Sequence, residues 1–189
     1  MLKKIIITFA SVLILMGIVV SGSAFAKEKL APGDTPPSSL GVNIEGQAIE
    51  TTQYTGKVLV VTFWASWCGP CKKELPILEG IQRVGGKDRI QVVAINMEDR
   101  DQFRRLSKHL SSLTLMMSHD YRKQASEAYG VHGIPHLVII GRDGKIIAVH
   151  RGYSEESVDG IVGEINAALA ACDAGGTGGT GKSCSKANG

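Results

Sequence analysis

Between residues 38 and 171 short apolar runs alternate with amphipathic stretches, and each pattern predicts an element. GVNIEGQAIETTQY, residues 41–54, reads as two short strands about a glycine turn. In GKVLVVTFWAS the positions from Val58 to Trp64 are almost continuously apolar. Such a run fits a strand buried on both faces, at the centre of an α/β sheet. CGPCKKELPILEGIQRV has helical spacing, and Leu75, Leu78, Ile81 and Val84 recur at three-residue steps as its expected inward face. RIQVVAINM is a second buried strand. EDRDQFRRLSKHL is an amphipathic helix with Phe103, Leu106 and Leu110 on one side. LTLMMSHD predicts a short strand, and YRKQASEAYG a helix ending at Gly130. IPHLVIIGRDGKIIAVHRG is a hairpin that turns at Arg142–Gly144. SEESVDGIVGEINAALAAC is a closing helix, with Ser154 and Ser157 as capping residues and Val158, Ile161, Ile165 and Leu169 along one face. The order is a hairpin, then β-α-β-α-β-α, then β-β-α. Alternating β and α units build a parallel core sheet, and the final hairpin adds antiparallel strands. The expected fold is α/β: a mixed central sheet flanked by helices, with an N-terminal β-hairpin.

Both ends of the chain break this pattern. MLKK is followed by an apolar run, Ile5 to Val20, and then by SGSAFA, with Ala24 and Ala26 in an A-x-A arrangement. Residues 1–26 read as a signal peptide, cleaved after Ala26, in preference to an uncleaved N-terminal anchor. Either reading places the domain outside the cytoplasm, where disulfides persist. Residues 27–37 are an extended, Pro-rich linker. Residues 172–189 form a Gly-rich tail, expected to be flexible, that carries Cys172 and Cys184. Those two cysteines are expected to pair with each other. The tail also contains a match to G-x-x-x-x-G-K-[ST], Gly176 to Ser183. A phosphate-binding loop needs a strand before it and a helix after it. Here a helix precedes and six residues follow, so no nucleotide partner is expected.

A chain of 189 residues suits one domain with tails. Net charge is +3, and removing Lys3 and Lys4 leaves 19 basic against 18 acidic residues. A nearly neutral domain lacks the concentrated basic surface that a nucleic-acid partner requires.

The candidate chemistry lies in FWASWCGPCKKELP, residues 63–76. Cys68 falls where a buried strand ends and a helix begins. The first turn of a helix has unpaired amides and about half a positive charge. A thiolate there is stabilised, and its pKa falls from about 8.5 toward ~7 or lower. Cys71, one turn into the helix, is more shielded and close enough to close a disulfide. Cys68 is therefore the expected nucleophile and Cys71 the resolving thiol. Gly69 and Pro70 suit the tight turn, since the first turn does not use the N–H that proline lacks. Two other readings of a C-x-x-C pair remain open at this point: half of a zinc site, or a bracing disulfide.

At these residues the sequence resembles the thioredoxin superfamily. WCGPC between an apolar strand and a helix is its central motif, and GIPH, Gly133 to His136, is a second match. The resemblance implies a cis-proline at Pro135, facing the dithiol, with the backbone of Ile134 presented to a substrate strand. Trp67, Gly69, Pro70, Ile134, Pro135 and His136 are the expected substrate-binding residues. The leader, the hairpin at 41–54 and CxxCKKELP resemble the extracytoplasmic TlpA/ResA-like branch over about residues 35–171. In that branch the glutamate matching Glu74 lies near the dithiol and assists its proton chemistry; the plainer reading is an exposed helix acid. Pro76 is expected to bend the helix. Two departures stand out. The buried aspartate of thioredoxin falls on Thr62, which cannot act as a base. His136 stands where threonine is common, and as a cation beside the sulfur it would favour the Cys68 thiolate.

The expected activity is protein-disulfide reduction by dithiol exchange, without a cofactor or metal. The partners implied are a disulfide-bonded or thiol-bearing protein, an apocytochrome c awaiting haem being one, and a membrane thiol-electron donor. Reducing members of the class lie near −270 mV and strong oxidants near −120 mV. A disulfide oxidase or isomerase would use the same residues at a different potential. A copper-binding metallochaperone would use Cys68, Cys71 and His136.

Overall fold

The computed structural model describes residues 29–110 and 112–174. The expected leader at 1–26, the far part of the expected tail with Cys184, and the P-loop-like match lie outside the described residues. Seven strands form one mixed sheet: β1 (Ser39–Val42), β2 (Ala48–Glu50), β3 (Val58–Trp64), β4 (Ile90–Asn96), β5 (Met116–His119), β6 (His136–Ile140) and β7 (Ile146–Arg151). Their spatial order is β2-β1-β5-β4-β3-β6-β7. β3, β4 and β5 run parallel, and the flanking strands are antiparallel. Four α-helices accompany the sheet: α1 (Gly69–Gly85), α2 (Arg100–His109), α3 (Gln124–Ala128) and α4 (Glu155–Ala174). The expected mixed sheet, N-terminal hairpin and C-terminal hairpin are all present. Among the described residues no helix is long and apolar enough to cross a membrane.

All seven residues of β3 are buried, because successive side chains enter two different cores. Val58, Val60 and Trp64 join Leu75 and Leu78 of α1 and Ile161, Ile165 and Leu169 of α4. Leu59, Val61 and Phe63 join Leu40 and Ile49 of the hairpin, with Ala125 and Tyr129 at α3. The hairpin approaches β5 closely at Gly41, where φ is 84° and a Cβ would stand 2.5 Å from the His119 carbonyl oxygen. Only glycine fits there.

The inward face of α1 differs from the expectation. Cys71, Glu74, Leu75, Leu78 and Gln82 are buried, whereas Val84 is 87% exposed. A strict three-residue step turns only 300°, so each repeat falls 60° short of a full circle. Over three steps the stripe leaves the core. Gln82 takes the place expected of an apolar residue. Its Oε1 accepts from the Val92 amide at 2.6 Å and its Nε2 donates to the Thr114 carbonyl at 3.0 Å. The ladder between β4 and β5 begins only at Val93, so Gln82 supplies the partner that Val92 lacks. α1 runs unbroken through Pro76.

Residues of the expected linker are fastened to the domain. The Gly33 amide donates to the Ile146 carbonyl, the Ile146 amide donates to the Asp34 carbonyl, and the Tyr129 hydroxyl donates to the Pro37 carbonyl. At the start of α4, Ser154 and Ser157 each accept from the other's backbone amide at 3.0 Å, as expected of capping residues.

Candidate active site

β3 ends at Trp64, and the chain turns through Ala65–Cys68, closed by the Cys68 amide donating to the Ala65 carbonyl at 3.1 Å. Cys68 is the N-cap of α1, and its Sγ accepts from the backbone amide of Cys71 at 3.2 Å. The sulfur thus occupies the position where an N-cap side chain satisfies the free amides of a first turn. Pro70 lies within that turn, where its missing N–H leaves no bond unmade. Cys68 and Cys71 are joined in a disulfide with S–S 2.04 Å and Cα–Cα 5.3 Å. Cys71 is fully buried, Cys68 is 5% exposed, and Trp67 beside it is 73% exposed. Gly69 and Pro70 are exposed as well. A partner can therefore approach Cys68 along the Trp67–Pro70 surface, while Cys71 stays covered.

The Ile134–Pro135 bond is cis. His136 is opposite Phe63 in the β3–β6 ladder, so Pro135 lies level with Trp64, at the end of β3 that leads to Cys68. The Pro135 carbonyl accepts from the Gly152 amide, and Ile134 is half-buried.

Glu74 lies one turn beyond Cys71 on the inward face of α1 and is 3% exposed, so the exposed-acid reading does not hold. Its Oε2 accepts from the Thr62 hydroxyl at 2.7 Å. Burial raises the Glu74 pKa above its ordinary value; the Thr62 bond and the charge of His150 pull the other way without overcoming it. Threonine at the position of the thioredoxin aspartate thus tethers a carboxyl that the next helix supplies.

His136 is not the expected cation. Its ring meets Phe63 edge-on, centroids 5.9 Å apart, on the sheet face that carries Val138 and Ile140. The dithiol belongs to the opposite face. His136 is 1% exposed, and burial lowers its pKa to about 4, assisted by the charges of Arg151 and His132. It is neutral at ordinary pH. Cys68, Cys71 and His136 therefore do not converge as the donor set of a copper site. Among the described residues no group of three or more His, Cys, Asp or Glu side chains could hold a metal ion.

Sequence reasoning missed three residues around this site. Glu98, just past β4, accepts from Ser66 in the turn before Cys68. His150 of β7 and Glu164 of α4 meet at 2.6 Å on the dithiol side of the sheet. A polar residue directly after an apolar parallel strand was the available signal for Glu98, since the ends of such strands converge on one side.

A sheet of this order, with a cysteine pair at the junction of its central strand and the following helix, is a thioredoxin-like fold. The chain belongs to the Redoxin family, whose model matches residues 31–168. It is 28% identical over 145 residues to the thiol-disulfide oxidoreductase ResA of Bacillus subtilis, covering 76% of this chain and 80% of that one. It is also 28% identical to ResA of Geobacillus thermodenitrificans over 127 residues, 67% of this chain and 72% of the relative. Among solved structures it resembles a candidate thiol:disulfide interchange protein DsbE of Chlorobium tepidum, with TM-score 0.65 and 30% identity, covering 74% of this chain and 99% of the other.

Proposed function

We propose that this chain is an extracytoplasmic thiol–disulfide oxidoreductase that reduces protein disulfides through Cys68 and Cys71. The observation that carries the reading is the cysteine pair itself: one sulfur at the N-cap of α1 beside the exposed Trp67, Gly69 and Pro70, its partner fully buried one turn on, and a buried carboxyl one turn further. The leader-like segment and the names of the ResA relatives support it.

In the reduced protein the Cys68 thiolate is stabilised by the free amides of the first turn of α1. It attacks one sulfur of a substrate disulfide. That S–S bond breaks, a Cys68–substrate disulfide forms, and the first substrate sulfur leaves as a thiolate. The Cys71 thiol then gives its proton to the Glu74 carboxylate, directly or through water, and attacks Cys68 Sγ. The intramolecular disulfide closes and the second substrate thiolate departs. Two electrons have passed to the substrate, and its two sulfurs take up protons. Trp67, Gly69, Pro70 and Ile134 form the docking rim, with Pro135 buried beneath it and the Ile134 backbone available to an extended substrate segment. His136 supports this rim by starting β6. A thiol-bearing membrane protein returns the electrons by the same exchange in reverse.

Equilibration with glutathione redox buffers tests the direction. A midpoint near −270 mV is expected; one near −120 mV identifies an oxidant or isomerase and overturns the reductant reading.

A further inference from the structure

The turn that carries the nucleophile is held from outside its own strand and helix. The Ser66 amide donates to Glu98 Oε2 at 2.7 Å, and the Ser66 hydroxyl donates to Glu98 Oε1 at 2.7 Å. Both carboxylate oxygens thus accept from one residue, two positions before Cys68. Glu98 is itself fixed from three directions. Asn96 Nδ2 donates to Oε2 at 3.0 Å, and the Glu98 amide donates to Asn96 Oδ1 at 3.0 Å. His119 Nε2 donates to the Glu98 carbonyl at 2.6 Å, and the His119 ring is stacked between Phe103 and Tyr121. The Met97 amide, next in the chain, donates to the Trp64 carbonyl at 3.1 Å. Ser66 and Trp67 are the two central residues of the Ala65–Cys68 turn. The amide at the first central position has no partner within a β-turn, and here Glu98 supplies one.

We propose that Glu98 is a positioning residue for the nucleophile: by clamping Ser66 it fixes the turn that seats Cys68 at the start of α1 and presents Trp67 to the partner. The carboxylate stays charged to do this. Partial burial works against its ionisation, but the Ser66 hydroxyl, the Ser66 amide and Asn96 outweigh that, and its pKa lies below the ordinary value even with Asp99 adjacent. Two charge-assisted bonds from one residue set both distance and angle. The clamp is not needed to close the sheet, because the Met97–Trp64 bond already joins β4 to the end of β3. Its particular product is the orientation of residues 66–68.

The inference rests on Cys68 being the nucleophile, so the experiment measures that first. The reduced full chain is alkylated with iodoacetamide over a pH series, with peptide mapping to separate Cys68 from Cys71. Wild-type protein in which Cys68 is no more reactive at neutral pH than a free thiol sinks both the exchange mechanism and the clamp. Given a reactive Cys68, Glu98→Ala and Glu98→Gln are compared. Glu98→Ala releases the turn. The thiolate loses its seat on the first-turn amides, so the pH midpoint of Cys68 alkylation rises and the exchange rate with a disulfide substrate falls about tenfold, inside the ~100-fold that small misplacements cost. Glu98→Gln keeps the shape and one acceptor while removing a negative charge, so its midpoint stays level or falls, with most of the exchange rate retained. Ser66→Ala, which leaves the backbone bond in place, lies between wild type and Glu98→Ala. If Glu98 acts only as a nearby charge, both Glu98 variants lower the midpoint; if it is only structural, the melting temperature drops with the midpoint unmoved. Either result overturns the proposal. Should Glu98→Ala fail to fold, the rate and midpoint of Ser66→Ala decide it: values equal to wild type refute the clamp.

Discussion

Replacing Thr62 by valine keeps the side chain's shape and removes one donor, so it isolates the bond that tethers Glu74. Thr62 is fully buried, Glu74 is 3% exposed, and the oxygens are 2.7 Å apart, so water does not replace the lost donor. A hydrogen bond to a charged group contributes about 1.5–3 kcal/mol, and a neutral pair about 0.5–1.5 kcal/mol. The cost of Thr62→Val therefore depends on whether Glu74 is ionised. Burial raises the Glu74 pKa above the ordinary 4.5, so the folded protein holds this proton more tightly than the unfolded chain does. The associated stability is fully present below pH 4.5 and is lost as pH rises through the higher folded value. Removing Thr62, which pulls that pKa down, deepens the loss. Urea unfolding of the oxidised protein between pH 4 and 9 is the assay. Thr62→Val is expected to destabilise by the smaller amount at the acid end and the larger at the alkaline end. Glu74→Gln is expected to remove this component of the pH dependence and to be more stable than wild type at alkaline pH. A Thr62→Val cost that is constant across the series, or a Glu74→Gln curve parallel to wild type, would refute a buried carboxyl tethered in this way.

His136 shows the opposite pH behaviour. With a folded pKa of about 4 against an ordinary 6.5, it contributes stability that is lost as pH falls from 6.5 toward 4, on the order of 3 kcal/mol in all. Urea midpoints of His136→Leu should fall less over that window than those of wild type, and the pH midpoint of Cys68 alkylation should not change. On α1, thermal melts should show Leu78→Ala costing about 2–5 kcal/mol and Val84→Ser within about 0.5 kcal/mol, the contrast that separates the observed face from the three-residue stripe. Cys71→Ser should trap a Cys68–substrate disulfide visible on non-reducing gels, and Cys68→Ser should trap none.

The readable parts of this molecule were those coded within a few residues. Val58–Trp64 announces a strand covered on both sides, and Cys68 with Cys71 announces its chemistry because strand, turn and helix follow one another directly. The Ser154–Ser157 cap is legible for the same reason. What stayed hidden depends on contacts between distant positions. Ser66 and Glu98 are 32 residues apart, and nothing local to either names the other. His136 was expected beside the sulfur because it follows Pro135 in the chain, but it lies on the sheet face of Val138, and which face the dithiol takes is decided by the packing of α1 and α4. The stripe through Val84 failed because a step of three is not the period of the helix. Glu74 was legible as chemistry through resemblance, yet its partner Thr62 emerged only when α1 lay across β3.

That arrangement bears on how a proton would leave Cys71. In this protein the buried carboxyl is carried by the same helix as Cys71, one turn along, while the sheet contributes the Thr62 hydroxyl that bonds it. A base on the sheet would be fixed relative to β3 and would meet Cys71 only in one placement of α1. A base on α1 keeps its spacing from Cys71 however the helix shifts as the disulfide opens and closes, and Thr62 limits where its oxygens point. Burial keeps the carboxyl ready to hold a proton, and the neutral His136, on the far side of the sheet, does not compete for it. Proton acceptance would then follow the state of Glu74, whose ionised form the Thr62 hydroxyl and the charge of His150 favour against burial. In Glu74→Gln the resolving step should slow while the first attack by Cys68 does not, so the mixed disulfide should accumulate in stopped-flow exchange with a disulfide peptide. Equal slowing of both steps would place the carboxyl outside the proton path.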